Sequence, residues 1–410
     1  MNTQSHYIGH QNLAIIKWLT FLMFMMFAMT TDAVGVIIPE VMKQFQLSMT
    51  AAGLMHYAPM VAIALAGIFL GFLADKFGRK KTIIIGLALF SINSYLFLIG
   101  NTFTFFLGLL IISGVSIGVF KTAALALIGD ISKSTTEHTS TMNVVEGFFG
   151  VGAIIGPFIV TYLLKTGVEW KWLYVVAGSL CIVLIAIAMM VEYPKTKKTT
   201  EDPINLKATL SMMKDPYALG FSLAAFLYVS VECAIYVWMP TLIAGYNGSA
   251  VFIATYALSI FFILRASGRF LGAWLMARFN WALVLSIFSL LIFLCFLGSV
   301  VGGIDFAVIL LPLSGLFMSV IYPTINSKGI SCFPKAKHSS AAGVILFFTA
   351  AGAALGPLLM GAVSDAFGHK AKYGFVLATV FSALLLSGML INLFLNPTKR
   401  RLQKLEQSEY

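Results

Sequence analysis

Runs of roughly 20 apolar residues follow one another almost without pause along this chain. Each is long enough to cross ~30 Å of hydrocarbon as a helix. They fall near 14–38, 51–74, 82–100, 104–129, 141–164 and 170–192, then near 218–243, 250–276, 281–301, 305–328, 340–364 and 373–396. Between the two sets lies one long polar stretch, YPKTKKTTEDPINLKATLSMMKDP. The pattern predicts an all-α integral membrane protein of twelve transmembrane helices in two pseudo-symmetric six-helix lobes. The lobes are residues 1–193 and 218–410, joined by a linker at 194–217 and closed by a short basic tail. The first run, from about Leu13 to Ile38, has no cleavable-signal pattern before it and is expected to remain as helix 1.

Charge placement orients the bundle. One side collects Lys76, Arg79, Lys80, Lys81, Lys133, Lys195, Lys197, Lys198, Lys207, Lys214, Arg278, Lys335, Lys337, Lys399, Arg400, Arg401 and Lys404, whereas the other has only Lys43, Lys165, Lys171, Lys370 and Lys372. Short basic loops face the cytoplasm, so both termini and the linker are expected there, in a bacterial inner membrane. Composition agrees: 59% of residues are apolar and 10% charged, against roughly 25% charged in soluble domains. The formal net charge of +11 therefore reports topology and not nucleic-acid binding. Cys181, Cys233, Cys295 and Cys332 lie in or beside apolar runs without paired spacing, which predicts buried free thiols.

The two halves repeat each other. Phe148, Gly152, Ala153, Gly156 and Pro157 in helix 5 recur in helix 11 as Phe348, Gly352, Ala353, Gly356 and Pro357. Gly67 and Gly71 in helix 2 recur as Gly268 and Gly272 in helix 8. Small residues four apart permit close helix contact, and duplicated lobes are a common transporter plan with substrate bound near the midplane between them.

Gly71-Phe72-Leu73-Ala74-Asp75-Lys76-Phe77-Gly78-Arg79-Lys80-Lys81, between helices 2 and 3, resembles the signature loop of the major facilitator superfamily. The resemblance implies a conformational latch built on Gly71, Asp75, Gly78 and Arg79, with Asp75 meeting a helix N-terminus or an arginine across the lobes. Arg265 and Arg269 in helix 8 are assigned to the same gate. Helix 7, Phe226 to Tyr236, and helix 10, Gly315 to Asn326, are similar to the fucose permease branch, the fucose–galactose–glucose:proton symporters. Gly152-x-x-x-Gly156-Pro157 resembles a motif typical of proton-linked exporters in the superfamily, though its copy in helix 11 favours a packing role.

Four charges sit at bilayer depth: Asp32 in helix 1, Lys121 in helix 4, Glu146 in helix 5 and Glu232 in helix 7. Such groups cost several kcal/mol unless paired or hydrated, so they mark function by default. Asp32, Glu146 and Glu232 are the expected proton-coupling carboxylates. Lys121 either touches substrate or pairs with Asp32 or Glu146. In the fucose permease branch the position matching Lys121 is acidic and belongs to the coupling pair, whose helix 1 acid aligns nearer Gly35. The coupling site is therefore rearranged, and a buried lysine would also suit an acidic solute. His56, Asn143, Tyr228, Tyr236, Trp238, Tyr322 and Asn326 complete the candidate substrate-binding set, with Asn326 beside a helix break expected at Pro323. Aromatic rings stack on sugar faces, and amides bond hydroxyls.

No Gly-x-x-x-x-Gly-Lys phosphate loop, His-Glu-x-x-His pair or Ser–His–Asp set occurs, so neither an ATP-driven pump nor an enzyme is indicated. The expectation is a secondary active transporter without cofactors or bound metal, a monomer in the lipid bilayer. Its partners are a small polar solute and protons, moved by alternating access. Proton-coupled uptake of a sugar or related metabolite is the leading reading. The alternatives are proton-driven export of a metabolite or drug-like compound and transport of an organic anion held by Lys121.

Overall fold

The computed structural model describes residues 10–132, 135–194, 212–334 and 337–408. Most of the expected linker lies outside them, as do Lys133, Lys195, Lys197, Lys198, Lys207 and Lys335. Among the described residues every regular element is a helix. We number them α1 (His10–Thr31, resuming as Val34–Phe45), α2 (Leu54–Leu70), α3 (Arg79–Leu96), α4 (Phe103–Ile131), α5 (Thr135–Lys165) and α6 (Trp172–Met190). Then follow α7 (Pro216–Cys233, continuing to Leu242), α8 (Ala257–Met276), α9 (Trp281–Gly302), α10 (Ile304–Met318, resuming as Ile321–Ser331), α11 (His338–Ala366), α12 (Ala371–Leu395) and a terminal α13 (Pro397–Ser408). Eleven regions are long and apolar enough to cross a membrane. α3, which opens on Arg79, Lys80 and Lys81, completes the expected twelve.

Three of these helices are irregular, each for a local reason. α1 breaks at Asp32 and Ala33. Just before the break, the hydroxyls of Thr30 and Thr31 bond back to Phe27 O at 2.9 and 3.2 Å, a contact that bends helices. α7 widens into a π-helical turn over Ala234–Trp238, where Pro240 cannot donate to the carbonyl of Tyr236 four residues earlier. α10 breaks at Ser319 and Val320, because Pro323 cannot donate to Ser319. The break thus falls one turn before Pro323 and not at it, since proline is well accommodated in the first turn of the resuming helix.

Bare glycines explain the packing of the repeats. A Cβ on Gly152 or Gly156 in α5 would strike Met25 O or Met29 O in α1, and one on Gly352 or Gly356 in α11 would strike Phe226 O or Ser230 in α7. Gly268 and Gly272 in α8 press on Leu316 O and Val320 in α10. Equivalent glycines therefore serve equivalent helix pairs in the two halves.

The chain separates into two compact units: Met1–Ile37 with Leu54–Thr200, and Ile38–Gly53 with Glu201–Tyr410. The expected boundary near the linker is thus joined by a second exchange at 38–53. Within the second unit Asp365, near the end of α11, holds this segment with both carboxylate oxygens. Oδ1 accepts from Met49 N at 2.9 Å, and Oδ2 accepts from Thr50 N at 2.8 Å and Thr50 Oγ1 at 2.6 Å. Gly361, one turn earlier, lets the backbone approach: a Cβ there would stand 3.3 Å from Thr50 N. His369 Nδ1 lies 3.0 Å from Asp365 Oδ1.

α13 packs on the second unit. Arg401 donates to Cys332 O at 3.1 Å, lies 3.6 Å from Asp215 and stands over the Tyr217 and Phe333 rings. Leu402 joins the apolar cluster of Met212, Ala218, Cys332 and Phe333. All four cysteines are buried thiols outside any disulfide, as expected, and burial pushes the Cys332 thiol up to about 11.

Candidate functional site

The charged groups at membrane depth form two sets, one in each unit. In the first unit Asp32 sits at the break in α1 and Lys121 midway along α4, both half-buried, whereas Glu146 and its neighbour one turn back, Asn143, are exposed on α5. The acids whose charge reaches the Lys121 ammonium are Glu146 and then Asp32. Lys121 Nζ stands 4.9 Å over the Phe27 ring. Among the described residues no salt bridge closes on it, so the three groups are a loose electrostatic triad. His56 is buried on α2 and lines a cavity of the first unit with Thr30, Thr31, Ser113 and Tyr174.

The second unit holds a tighter arrangement. Glu232, buried on α7, accepts a 2.6 Å charge-assisted bond from Arg265 Nη2 of α8 through Oε1. The same oxygen lies 2.9 Å from the Tyr228 hydroxyl, which also lies 2.8 Å from Met318 O at the end of the first half of α10. Tyr322, just past the break in α10, stacks on Tyr228 with ring centroids 6.2 Å apart, and its hydroxyl lies 3.4 Å from Thr349 Oγ1. Asn326 is half-buried one turn later.

Two residues differ from their expected surroundings. Arg265, assigned to the gate on sequence, instead neutralises Glu232, one turn before Gly268 meets α10; Arg269 is exposed. Trp238, assigned to substrate, is 1% exposed, and its only donor bonds Pro357 O at 3.0 Å. The indole thus fastens α7 to α11 and has no donor left for a solute. Tyr236 is half-buried, its hydroxyl 2.6 Å from Cys233 Sγ.

The signature loop forms a buried node in the first unit. Gly78 has φ +85°, a conformation glycine adopts without strain, and turns the chain into α3. Arg79, 4% exposed, bonds Asp75 Oδ1 at 2.7 Å and Asp130 Oδ2 at 2.9 Å. Asp75 is therefore bound by its own i+4 neighbour here. Asp130, at the end of α4, is the partner that sequence reasoning missed. Gly71 is close-packed on Thr122 of α4.

A family model described as Major Facilitator Superfamily matches residues 20–357. The chain belongs to that superfamily. Among its members, the chain is 25% identical to the L-fucose-proton symporter of Escherichia coli (strain K12) over 404 residues, 88% of this chain and 90% of the relative. It is 26% identical to the quinolone resistance protein NorA of Staphylococcus aureus (strain COL), covering 80% of this chain and 84% of the relative. Solved structures share the fold. A crystal structure of FucP matches with TM-score 0.60 at 23% identity, covering 92% of this chain and 98% of that one. A bacterial homologue of the human lysosomal transporter Spinster matches with TM-score 0.74 at 15% identity, covering 97% and 98%. The chain is thus a many-span transporter and not an enzyme, and among the described residues no cluster of His, Cys, Asp or Glu is suited to hold a metal.

Proposed function

We propose that this protein is a proton-coupled symporter of the bacterial inner membrane, importing a sugar or related small polar metabolite by alternating access. The observation that carries the reading is the coincidence of ionisable groups with broken helices. Asp32 occupies the break in α1, and Glu232 lies two residues before the π turn of α7. Irregular backbone at membrane depth is tolerated where it serves a cavity or pathway. The similarity to a fucose-proton symporter over most of both chains supports this choice. Asp32 and Glu146 take the coupling role in the first unit, with Lys121 setting their charge, and Glu232 takes it in the second. Asn143, His56, Tyr228, Tyr236, Tyr322 and Asn326 are the polar and aromatic groups proposed to recognise solute, and the Asp75–Arg79 node is the proposed latch.

The likeness to a quinolone resistance protein favours a second reading, proton-driven export. One experiment separates them: proton movement across proteoliposomes of known orientation on adding neutral sugars, acidic metabolites or quinolones. Alkalinisation outside right-side-out vesicles with a neutral sugar establishes symport. Counter-movement of protons with a quinolone establishes export. Response to acids alone makes Lys121 an anion site and overturns the sugar assignment.

A further inference from the structure

The second-unit cluster has one proton fewer than its geometry calls for. A tyrosine hydroxyl has a single hydrogen to donate. Tyr228 nevertheless stands within bonding distance of two acceptors, Glu232 Oε1 at 2.9 Å and Met318 O at 2.8 Å. A carbonyl never donates, and an ionised carboxylate accepts only. With Glu232 ionised, one of the two contacts has no hydrogen in it, and the charged acceptor wins because bonds to ionised groups are roughly twice as strong. Met318 O, one of the last carbonyls before the break in α10, then loses its donor. A proton on Glu232 completes the set: the carboxyl donates to the Tyr228 oxygen, and Tyr228 turns its hydrogen to Met318 O.

We infer that Tyr228 is a positioning residue that converts protonation of Glu232 into a hydrogen bond fastening α7 to the break in α10. The inference rests on the proton-coupled reading and names the part of the second unit that senses the proton. The groups facing the pair are Arg265, bonded to Glu232, and Arg269, both from α8, with Tyr322 from α10. From α11, Gly352 and Gly356 pack on Phe226 and Ser230 of α7, each two residues before a member of the pair. α8 touches both partners of the switch: Arg265 holds Glu232, while Gly268 packs on Leu316 O and Ser319 at the break. Movement of the hydrogen from one acceptor to the other is therefore felt where the two halves of α10 join.

The test is a pH titration followed by infrared difference spectroscopy in lipid, which needs no solute and so stands apart from the transport assay. A protonated-carboxyl band should titrate in the parent protein and vanish in Glu232→Gln. In Tyr228→Phe, which keeps the ring stack, the ionised form loses a donor, so the titration should move toward alkaline pH by about tenfold in proton concentration. In the unsubstituted protein, isotope-labelled tyrosine bands should change in the same pH step, a readout independent of whether Tyr228→Phe folds. The inference is overturned if no carboxyl band titrates or if the band survives Glu232→Gln. It is equally overturned if tyrosine bands are silent in that step, or if a folded Tyr228→Phe titrates like the parent. Proton-coupled transport with a silent Glu232 would sink the switch alone; a titrating Glu232 without proton movement would sink the transport reading alone.

Discussion

Arg79 shows how much one buried cation controls. It is nearly inaccessible and neutralises Asp130, itself largely covered, as well as the exposed Asp75. Removing one partner of a buried pair leaves an uncompensated charge, at about 3 kcal/mol or more. Arg79→Ala is therefore expected to lower the melting temperature in detergent markedly, whereas Asp75→Asn, at the wet end of the node, should scarcely change it. Equal losses would refute this ranking. The loop was legible in the sequence as a motif, although Asp75 was expected to meet a helix N-terminus or an arginine across the lobes and not Arg79. Asp130 was not legible, because 51 residues separate it from Arg79 and only the packing of α4 beside α3 brings it near. The reassigned Arg265 has the same origin: its place on α8 was readable, but the buried acid that it meets lies on another helix.

Helices explain which sequence signals could be trusted. The repeated glycines were legible because four-residue spacing is a property of a single helix, and the structure shows which atoms of the neighbouring helix each one faces. Gly268→Leu would drive a side chain into Leu316 O and Ser319. We expect it to abolish solute counterflow, while Gly220→Ala, with open space at its Cβ, leaves counterflow near parental. Breaks were less readable. Proline acts on the carbonyl four residues upstream, so the discontinuity in α10 appears before Pro323, and that in α1 comes from threonine hydroxyls without any proline at the site. The hold of α11 on Met49 and Thr50 was invisible in sequence because it joins Asp365 largely to backbone amides, which carry no residue signature. Asp365→Ala should expose those amides, and hydrogen exchange at Met49 and Thr50 should rise at least tenfold. Unchanged exchange would show that the bonds do not persist in the membrane.

Taken whole, the molecule follows its hydropathy. Twelve spans were readable because hydropathy is a property of long windows, which average over local irregularity, and the superfamily was readable from the loop at Gly71–Lys81. From the even span count and the basic loops we propose that both termini lie on the cytoplasmic side. A green fluorescent protein fused after Tyr410 should accordingly fluoresce in intact cells, and an alkaline phosphatase fused there should stay inactive; the reverse pattern would invert the topology. Proton coupling is testable at the same scale. Asp32→Asn and Glu146→Gln should each lose gradient-driven accumulation while keeping counterflow, and normal accumulation in both would remove them from the mechanism. The four shielded thiols have a practical corollary. Cys332 sits beyond its span yet stays protonated far above neutral pH, and Cys181, Cys233 and Cys295 are closed off by packing. The native chain is therefore close to silent toward maleimide dyes. A pair of reporter cysteines on its surface could carry fluorophores for single-molecule distance measurements without first stripping out the natural ones.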